Sequence, residues 1–423
     1  MTGDASKGQA ASATSRLSLT FILVTVMIDA MGIGLIIPVM PDLLQEVQGA
    51  GIANAALWGG VLSTTFAVMQ FLFAPVLGGL SDRYGRRPVL LISTAIMAID
   101  YLVMAVAGSI WLLLFGRVVG GITAATQSTA SAYMADISAP ADKAKNFGLI
   151  GAAFGMGFVL GPLVGGLLGE LGTRAPFYAA AVLAALNAML GWMVLQETVT
   201  ERLRRPFTLS RANPLGSLRV FRAMPTVGGL IAVYFIYQLA FMVYPAIWSF
   251  WGQERLGWSP STIGLSLALF GIMMAVVQGG LIRYVLQWLG DRGTVIYGHV
   301  FDLIVFLVLA TVTSGTVALI LTPVAAIAAV ISPALTGLMS QAVRDDQQGE
   351  LQGALTSVGS LAAIFGYAVY PFIFAIFAQK EEVEAATLNV ALPYFPGAPY
   401  ILSAFLVGGG LLLFIRVDRS NAT

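Results

Sequence analysis

Apolar runs of about 20 residues, separated by short polar turns, recur along the whole chain. A helix rises about 1.5 Å per residue, so each run can cross a bilayer core of about 30 Å. The pattern predicts spans over 18–44, 57–80, 88–107, 110–135, 146–169, 175–195, 225–250, 260–288, 294–313, 316–340, 351–378 and 396–416. The one long polar break is 196–224, rich in arginine (Arg202, Arg204, Arg205, Arg211, Arg219, Arg222). It divides the chain into a six-helix bundle over 1–195, a central cytoplasmic loop over 196–224 and a second six-helix bundle over 225–423. Within the loop, residues 214–222 fit a short amphipathic helix on the membrane surface. Its basic run reads either as a regulatory site or, more commonly for such runs, as a solvated topogenic signal.

Positive charge tests the count. With both termini inside, the inner side holds Lys7, Arg16, Arg83, Arg86, Arg87, Lys143, Lys145, the loop arginines, Arg283, Arg292, Arg344, Arg416 and Arg419. The outer side holds only Arg174, Arg255 and Lys380. That asymmetry is the positive-inside pattern, and an odd number of spans would scramble it. The expected fold is therefore an all-α polytopic membrane protein of twelve transmembrane helices in two six-helix, pseudo-symmetric bundles.

Composition narrows the chemistry. Hydrophobic residues make up 58% of the chain and charged residues 10%, against about 25% charged in ordinary globular proteins. A net charge of +1 gives no reason to expect a nucleic-acid partner. There is no cysteine, and one histidine, His299, rules out a histidine-rich metal site. Residues 1–17 lack the apolar core and cleavage site of a signal peptide. No Ser–His–Asp set, zinc cluster or nucleotide loop supports an enzyme, so no catalytic or metal-binding residues are assigned. The short termini leave no room for the soluble domain of a membrane sensor.

The turn at 78–88, Gly-Gly-Leu-Ser-Asp-Arg-Tyr-Gly-Arg-Arg-Pro, combines Gly78, Asp82, Arg83, Gly85, Arg86 and Arg87. Leu-Gly-Asp-Arg-Gly at 289–293 is its worn counterpart in the second half. Asp100 and Asp302 follow these turns at offsets differing by one helical turn, which suggests similar facing directions. Repeats flanking a midplane site are the usual transporter plan.

Asp29, Asp100, Arg117 and Asp302 are charges within spans, and each costs at least about 2.5–3.5 kcal/mol at mid-bilayer. Burial favours the neutral form of a carboxylic acid and a nearby arginine favours the charged form, so an acid between these influences can exchange a proton as water access changes. A structural Asp–Arg pair is the competing explanation, but one arginine cannot cover three acids. Asp29, beside Gly32 and Gly34, is expected to find hydrogen bonds on bare backbone there. In the fifth span Gly151, Gly155, Gly157, Gly161, Pro162, Gly165 and Gly166 form a small-residue stripe with a kink point. Gln70, Gln127, Ser128, Gln238 and Gln278, with Phe66, Phe235, Tyr237, Trp248 and Trp251, suit a flat amphipathic ligand. Some of these are equally helix contacts, and Trp251 also suits an interface belt. His299, near the inner end of its span, is read as a packing or surface residue.

At these residues the chain resembles the drug:proton antiporters of the major facilitator superfamily, and among them the tetracycline-efflux branch. The likeness covers about 20–415. It rests on Asp-Ala-Met-Gly-Ile-Gly-Leu-Ile-Ile-Pro-Val-Met-Pro at 29–41, the 73–78 and 81–91 segments, Asp100-Tyr101, Gly116-Arg117 with Gly121, and the fifth-span Gly-x-x-x-Gly-Pro-x-x-Gly-Gly. Trp258, Ile263-Gly264, Asp302 and Gly349-Glu350-Leu351-Gln352-Gly353 extend it. The resemblance implies export of tetracycline-like or other amphipathic drugs in exchange for protons, by alternating access in a bacterial-type inner membrane. It assigns coupling to Asp302, Asp100 and Asp29, and substrate contact to Gln70; Asp100, Arg117, Gln127, Gln238, Trp248 and Gln278 are further lining candidates on their own chemistry. It pairs Arg83 or Arg86 with Asp136 as a cytoplasmic gate. It implies a small-molecule substrate taken as a metal chelate, the lipid bilayer as the other partner, a monomer as the working unit, and no cofactor beyond the coupling proton. A same-fold carrier of an endogenous metabolite is the alternative. Met274 and Met242 stand where the branch has a histidine and a glutamine, Gln127-Ser128 replaces a Gly-Ala pair, and Tyr244-Pro245 shifts the branch's proline by one.

Overall fold

The computed structural model describes residues 3–124, 126–139, 141–199, 204, 225–379 and 393–422. The 214–222 helix expected in the central loop lies outside them. Among the described residues, eleven helical stretches are long and apolar enough to cross a membrane. One of them, Pro260–Thr311, has 52 residues. That is roughly 78 Å of helix, more than twice a bilayer core. Gly290, at φ 65 and ψ 175, breaks it into two spans, which brings the count to the expected twelve.

In chain order the helices are α1 (Gly3–Ile36), α2 (Met40–Gln48), α3 (Ile52–Tyr84), α4 (Arg86–Val106), α5 (Ile110–Thr123), α6 (Thr126–Ile137), α7 (Lys143–Gly169) and α8 (Ala175–Val194). After the central loop come α9 (Pro225–Phe241), α10 (Val243–Leu256), α11 (Pro260–Val276), α12 (Ile282–Thr311), α13 (Gly315–Ala325), α14 (Ile331–Ala342), α15 (Gln348–Phe377) and α16 (Ala398–Ala422).

Three expected spans are broken, and proline explains two of the breaks. Pro38 has no N–H and its ring crowds the carbonyl four residues back, at Gly34. Accordingly α1 ends at Ile36 and α2 restarts at Met40, so the span expected over 18–44 is not one helix. Pro245 acts in the same way on Phe241, where α9 stops before α10. The span expected over 110–135 parts at Ala124 without a proline, just after Gly120-Gly121. Two further irregular turns, a π turn at Val277–Leu281 and a 3-10 turn at Ala326–Val330, pack together through Val277, Ala329 and Val330, with Met274 against them. Gly279-Gly280 and Pro323 are their sequence signals.

The chain forms two compact units, Met1–Ile37 with Met69–Pro214, and Pro38–Val68 with Leu215–Thr423. The first half of α3 thus belongs to the second unit, where Gly59 faces Phe250 and Leu44 and Gly60 faces the Tyr367 carbonyl and Pro371. In the first unit α7 lies on α1. A Cβ on Gly161 would fall 2.6 Å from the Met31 carbonyl oxygen, and one on Gly165 would fall 2.7 Å from the Leu35 Cα. Gly157 meets Ala30 and Met31 in the same way, and Gly166 is buried. The fifth-span stripe is therefore a backbone-to-backbone seam, with Gly34 receiving Pro162 from the other side.

Of the five glycines with positive φ in inter-helix turns among the described residues, Gly85 (φ 114) lies in the first unit and Gly290 (φ 65) in the second, at the two turns that match in sequence. The two matching turns read in the sequence thus share a backbone device that other residues adopt only with strain. Two arginines expected outside have a local structural role. Arg174 donates to the Ala105 carbonyl at the end of α4, and Arg255 to the Val312 carbonyl just after α12. Cations at helix C-termini complement the helix dipole.

Candidate functional site

In the first unit α4 and α5 bring Asp100 and Arg117 together, with Arg117 Nη2 2.6 Å from Asp100 Oδ2. Both are buried, Asp100 at 5% exposure. The contact depends on Gly116, where a Cβ would lie 2.6 Å from Asp100 Oδ1. That second oxygen has no hydrogen-bond partner among the described residues. Among the described residues, the one buried arginine thus pairs with one of the three acids.

Asp29 Oδ1 is also buried with no hydrogen-bond partner among the described residues. The expectation that Gly32 and Gly34 serve it is not met. The notch at Gly32 holds the Tyr101 ring, and that at Gly34 holds Pro162. Tyr101 lies within electrostatic reach of both Asp29 and Asp100. Gln70 donates to the Ala124 carbonyl at 3.3 Å, taking up an acceptor at the break between α5 and α6. Gln127 and Ser128 follow that break with exposed side chains.

The 78–88 turn forms a closed polar network. Arg86 reaches Asp82 at 2.5 Å, Asp136 at 3.3 Å and the Ser81 hydroxyl at 2.6 Å, while the Ser81 hydroxyl donates to the Gly78 carbonyl. Of the two expected partners of Asp136, Arg86 makes the pair. Arg83 lies over the Tyr84 ring instead. Glu197, which sequence reasoning passed over, accepts the backbone N–H groups of Arg86 (2.9 Å) and Arg87 (3.3 Å) at the start of α4. It also accepts those of Thr198 and Val199. An anion is favoured at a helix N-terminus, and Gly85 leaves the space for this one. Its sequence signal is a single acid directly after an apolar span.

In the second unit Asp302 is 2% exposed, and no cationic group lies at ion-pair distance from it among the described residues. Tyr237, Tyr244 and Tyr370 lie within its electrostatic reach. Around Tyr244 the aromatic rings of Trp248, Phe270, Phe306 and Tyr400 stand 5.5–6.4 Å away, centroid to centroid. Trp248 donates to the Ser266 hydroxyl at 2.8 Å and is buried, so in this state it is part of the core. Trp251 is fully buried at 0% exposure, which removes the interface-belt alternative. Gln238 is half-buried near Gly359, and Gln278 is exposed on the π turn. Met242, at the α9–α10 break, packs on Gly366.

Two further polar groupings went unread. Asp42 accepts from Gln253 at 2.5 Å, and Gln253 accepts from Gln45 at 3.3 Å, tying α2 to α10 within the second unit. Tyr394 donates to Glu254 at 2.8 Å, and burial together with this carboxylate pushes its phenol up to about 12. His299 is fully buried, which fits the packing alternative and removes the surface one.

The family model described as Major Facilitator Superfamily matches residues 22–367. The chain is 44% identical to "Tetracycline resistance protein, class C" of Escherichia coli, over 90% of this chain and 96% of that protein. It is 40% identical to "Tetracycline resistance protein, class G" of Vibrio anguillarum, over 83% and 88% respectively. Among solved structures it is similar to the human organic anion transporter MFSD10 (TETRAN), with a TM-score of 0.63 and 26% identity, over 93% of this chain and 99% of that one.

Proposed function

The chain belongs to the major facilitator superfamily, and from that premise we propose that it exports tetracycline-like drugs from the cytoplasm in exchange for protons. It is a multi-pass inner-membrane transporter, not an enzyme. The observation that carries the substrate class is the 44% identity to a tetracycline resistance protein over nearly the full length of both chains. These relatives do not favour the alternative, a carrier of an endogenous metabolite.

The mechanism follows from what the buried acids can do. A carboxylic acid enclosed without a counter-charge takes and gives a proton as its access to water alternates. Asp302 is such a group. Asp100 is balanced by Arg117, so its free oxygen suits substrate contact, with Gln70, Gln127, Gln238 and Gln278 as the uncharged polar members. A tetracycline carried as its metal chelate brings a cation, and a carboxylate with one uncommitted oxygen suits that cargo. The distribution of Lys and Arg supports cytoplasmic termini, and the Asp82–Arg86–Asp136 network serves as the cytoplasmic gate. Each chain holds its own acids and gate, which supports a monomer as the working unit.

Expression in a pump-deficient bacterium tests this. Tetracycline resistance should rise above the empty-vector level and vanish with a protonophore. Unchanged susceptibility with the protein present in the membrane would remove tetracyclines as the substrate class.

A further inference from the structure

We propose that His299 is a second proton station, one helical turn from Asp302, which receives the coupling proton and passes it on; this rests on the reading of Asp302 as a coupling acid. His299 Nδ1 lies 2.8 Å from the Val295 carbonyl oxygen. A carbonyl only accepts, so Nδ1 carries the hydrogen and the lone pair of the neutral ring is on Nε2. Nε2 is buried and has no partner among the described residues. It lies near Gly410, where a Cβ would come within 3.6 Å of it, so α16 leaves space at that nitrogen.

The groups facing the imidazole are few. The α9 helix presents Tyr237, its ring centroid 5.8 Å from that of His299. The α12 helix presents Asp302, at i+3, where side chains of one helix face are neighbours. The α16 helix presents Gly410. No carboxylate or cation lies at ion-pair distance from the ring among the described residues. Tyr237 is within reach of both His299 and Asp302, which places the two titratable groups around one aromatic side chain.

The exchange balances. When water enters between the two groups, the Asp302 carboxyl gives its proton to that water as the water gives one to His299 Nε2, leaving a carboxylate and an imidazolium. The pair carries no net charge before or after the step, but burial opposes both ions that it creates, so the transfer waits for water to enter. The imidazolium then gives the proton to water when water reaches it from the Gly290 end of α12, and the carboxylate is free to be protonated again. The proton thereby moves about 4.5 Å along the helix axis, the rise of three residues.

The test uses full-length protein in proteoliposomes, with tetracycline and magnesium as the probe. His299→Asn keeps a donor for the Val295 carbonyl and removes the second basic nitrogen. His299→Gln is the second variant should the first not reach the membrane folded. The expected result is an uphill accumulation rate lower by at least about ten-fold, with downhill counterflow within about two-fold of wild type. The pH profile of uphill transport should lose its step in the histidine range. Wild-type accumulation would overturn the proposal. So would an equal fall in both modes with the pH profile unchanged, because that marks a packing role. Asp302→Asn, measured alongside, separates the two readings. If it accumulates drug normally, the coupling role of Asp302 fails; if it is inactive uphill while His299→Asn is normal, only the His299 station fails.

Discussion

Replacing Gly165 by alanine should weaken the seam between α1 and α7 although alanine is the better helix former. At this position the added Cβ would lie 2.7 Å from both the Cα and the carbonyl carbon of Leu35, and would also strike the Leu35 carbonyl oxygen. Ordinary contact begins at 3.4 Å, so the two backbones must part by about 0.7 Å or more. No flexible side chain is there to yield. Overpacking of this kind costs about 1–3 kcal/mol, against a helix-propensity gain of about 0.8–1 kcal/mol. Gly155 is the internal control, because a Cβ there meets nothing within 4 Å, so Gly155→Ala keeps the propensity gain alone. The two variants should differ by about the full packing cost, about 1–3 kcal/mol, with Gly165→Ala the less stable. Equilibrium unfolding in mixed detergent, followed by tryptophan fluorescence, measures that difference. Equal stabilities would refute the seam and reduce the fifth-span motif to composition.

Other positions give sharper functional outcomes. Glu197→Gln should cost about 1 kcal/mol, because a charged cap over the start of α4 becomes a neutral one; the same unfolding assay reads it. Gly85→Ala should be worse than Glu197→Gln in both stability and transport, since it combines a left-handed φ of 114 with a collision at Glu197. Asp82→Asn should nearly abolish transport while leaving membrane expression unchanged, and normal rates at equal expression would remove the gate role from the Arg86 network. Pro245→Ala should let α9 and α10 run on as one helix, raising helix content and lowering transport; an unchanged transport rate would show that the break at Met242 has no part in function.

The fold was legible because twelve apolar runs and the side preference of Lys and Arg are strong, mutually constraining signals. The glycine seam was legible for the same reason, since Gly157, Gly161 and Gly165 recur on one helix face. Breaks within spans were harder. Pro38 and Pro245 were visible as residues, but a helical apolar pattern continues across both. Ala124 has no breaker, and its carbonyl is met by Gln70, 54 residues earlier. Which acid Arg117 meets was open in the sequence, and tertiary placement on adjacent helices brings it to Asp100. Asp29 was misread because Gly32 and Gly34 look like free backbone until Tyr101 and Pro162 are seen to fill them. Trp251 and His299 each left a buried and an exposed reading open for a related reason: position within a span does not tell the bundle side from the lipid side when neighbours on both faces are apolar. Glu197 was missed because capping across more than 100 residues leaves no local pattern.

Proton coupling through the buried acids is the central claim, and amide substitution tests it most directly. Asparagine keeps the size of aspartate and much of its hydrogen bonding but has no exchangeable acid proton. Asp100→Asn and Asp302→Asn should be reconstituted into proteoliposomes with an imposed pH gradient, following tetracycline fluorescence. Asp302→Asn is expected to lose accumulation against the drug gradient while still exchanging drug downhill. Asp100→Asn is expected to weaken drug transport in both modes, through the loss of its pair with Arg117. If both variants accumulate drug uphill at the wild-type level, these carboxylates are structural and the proton-exchange account is contradicted.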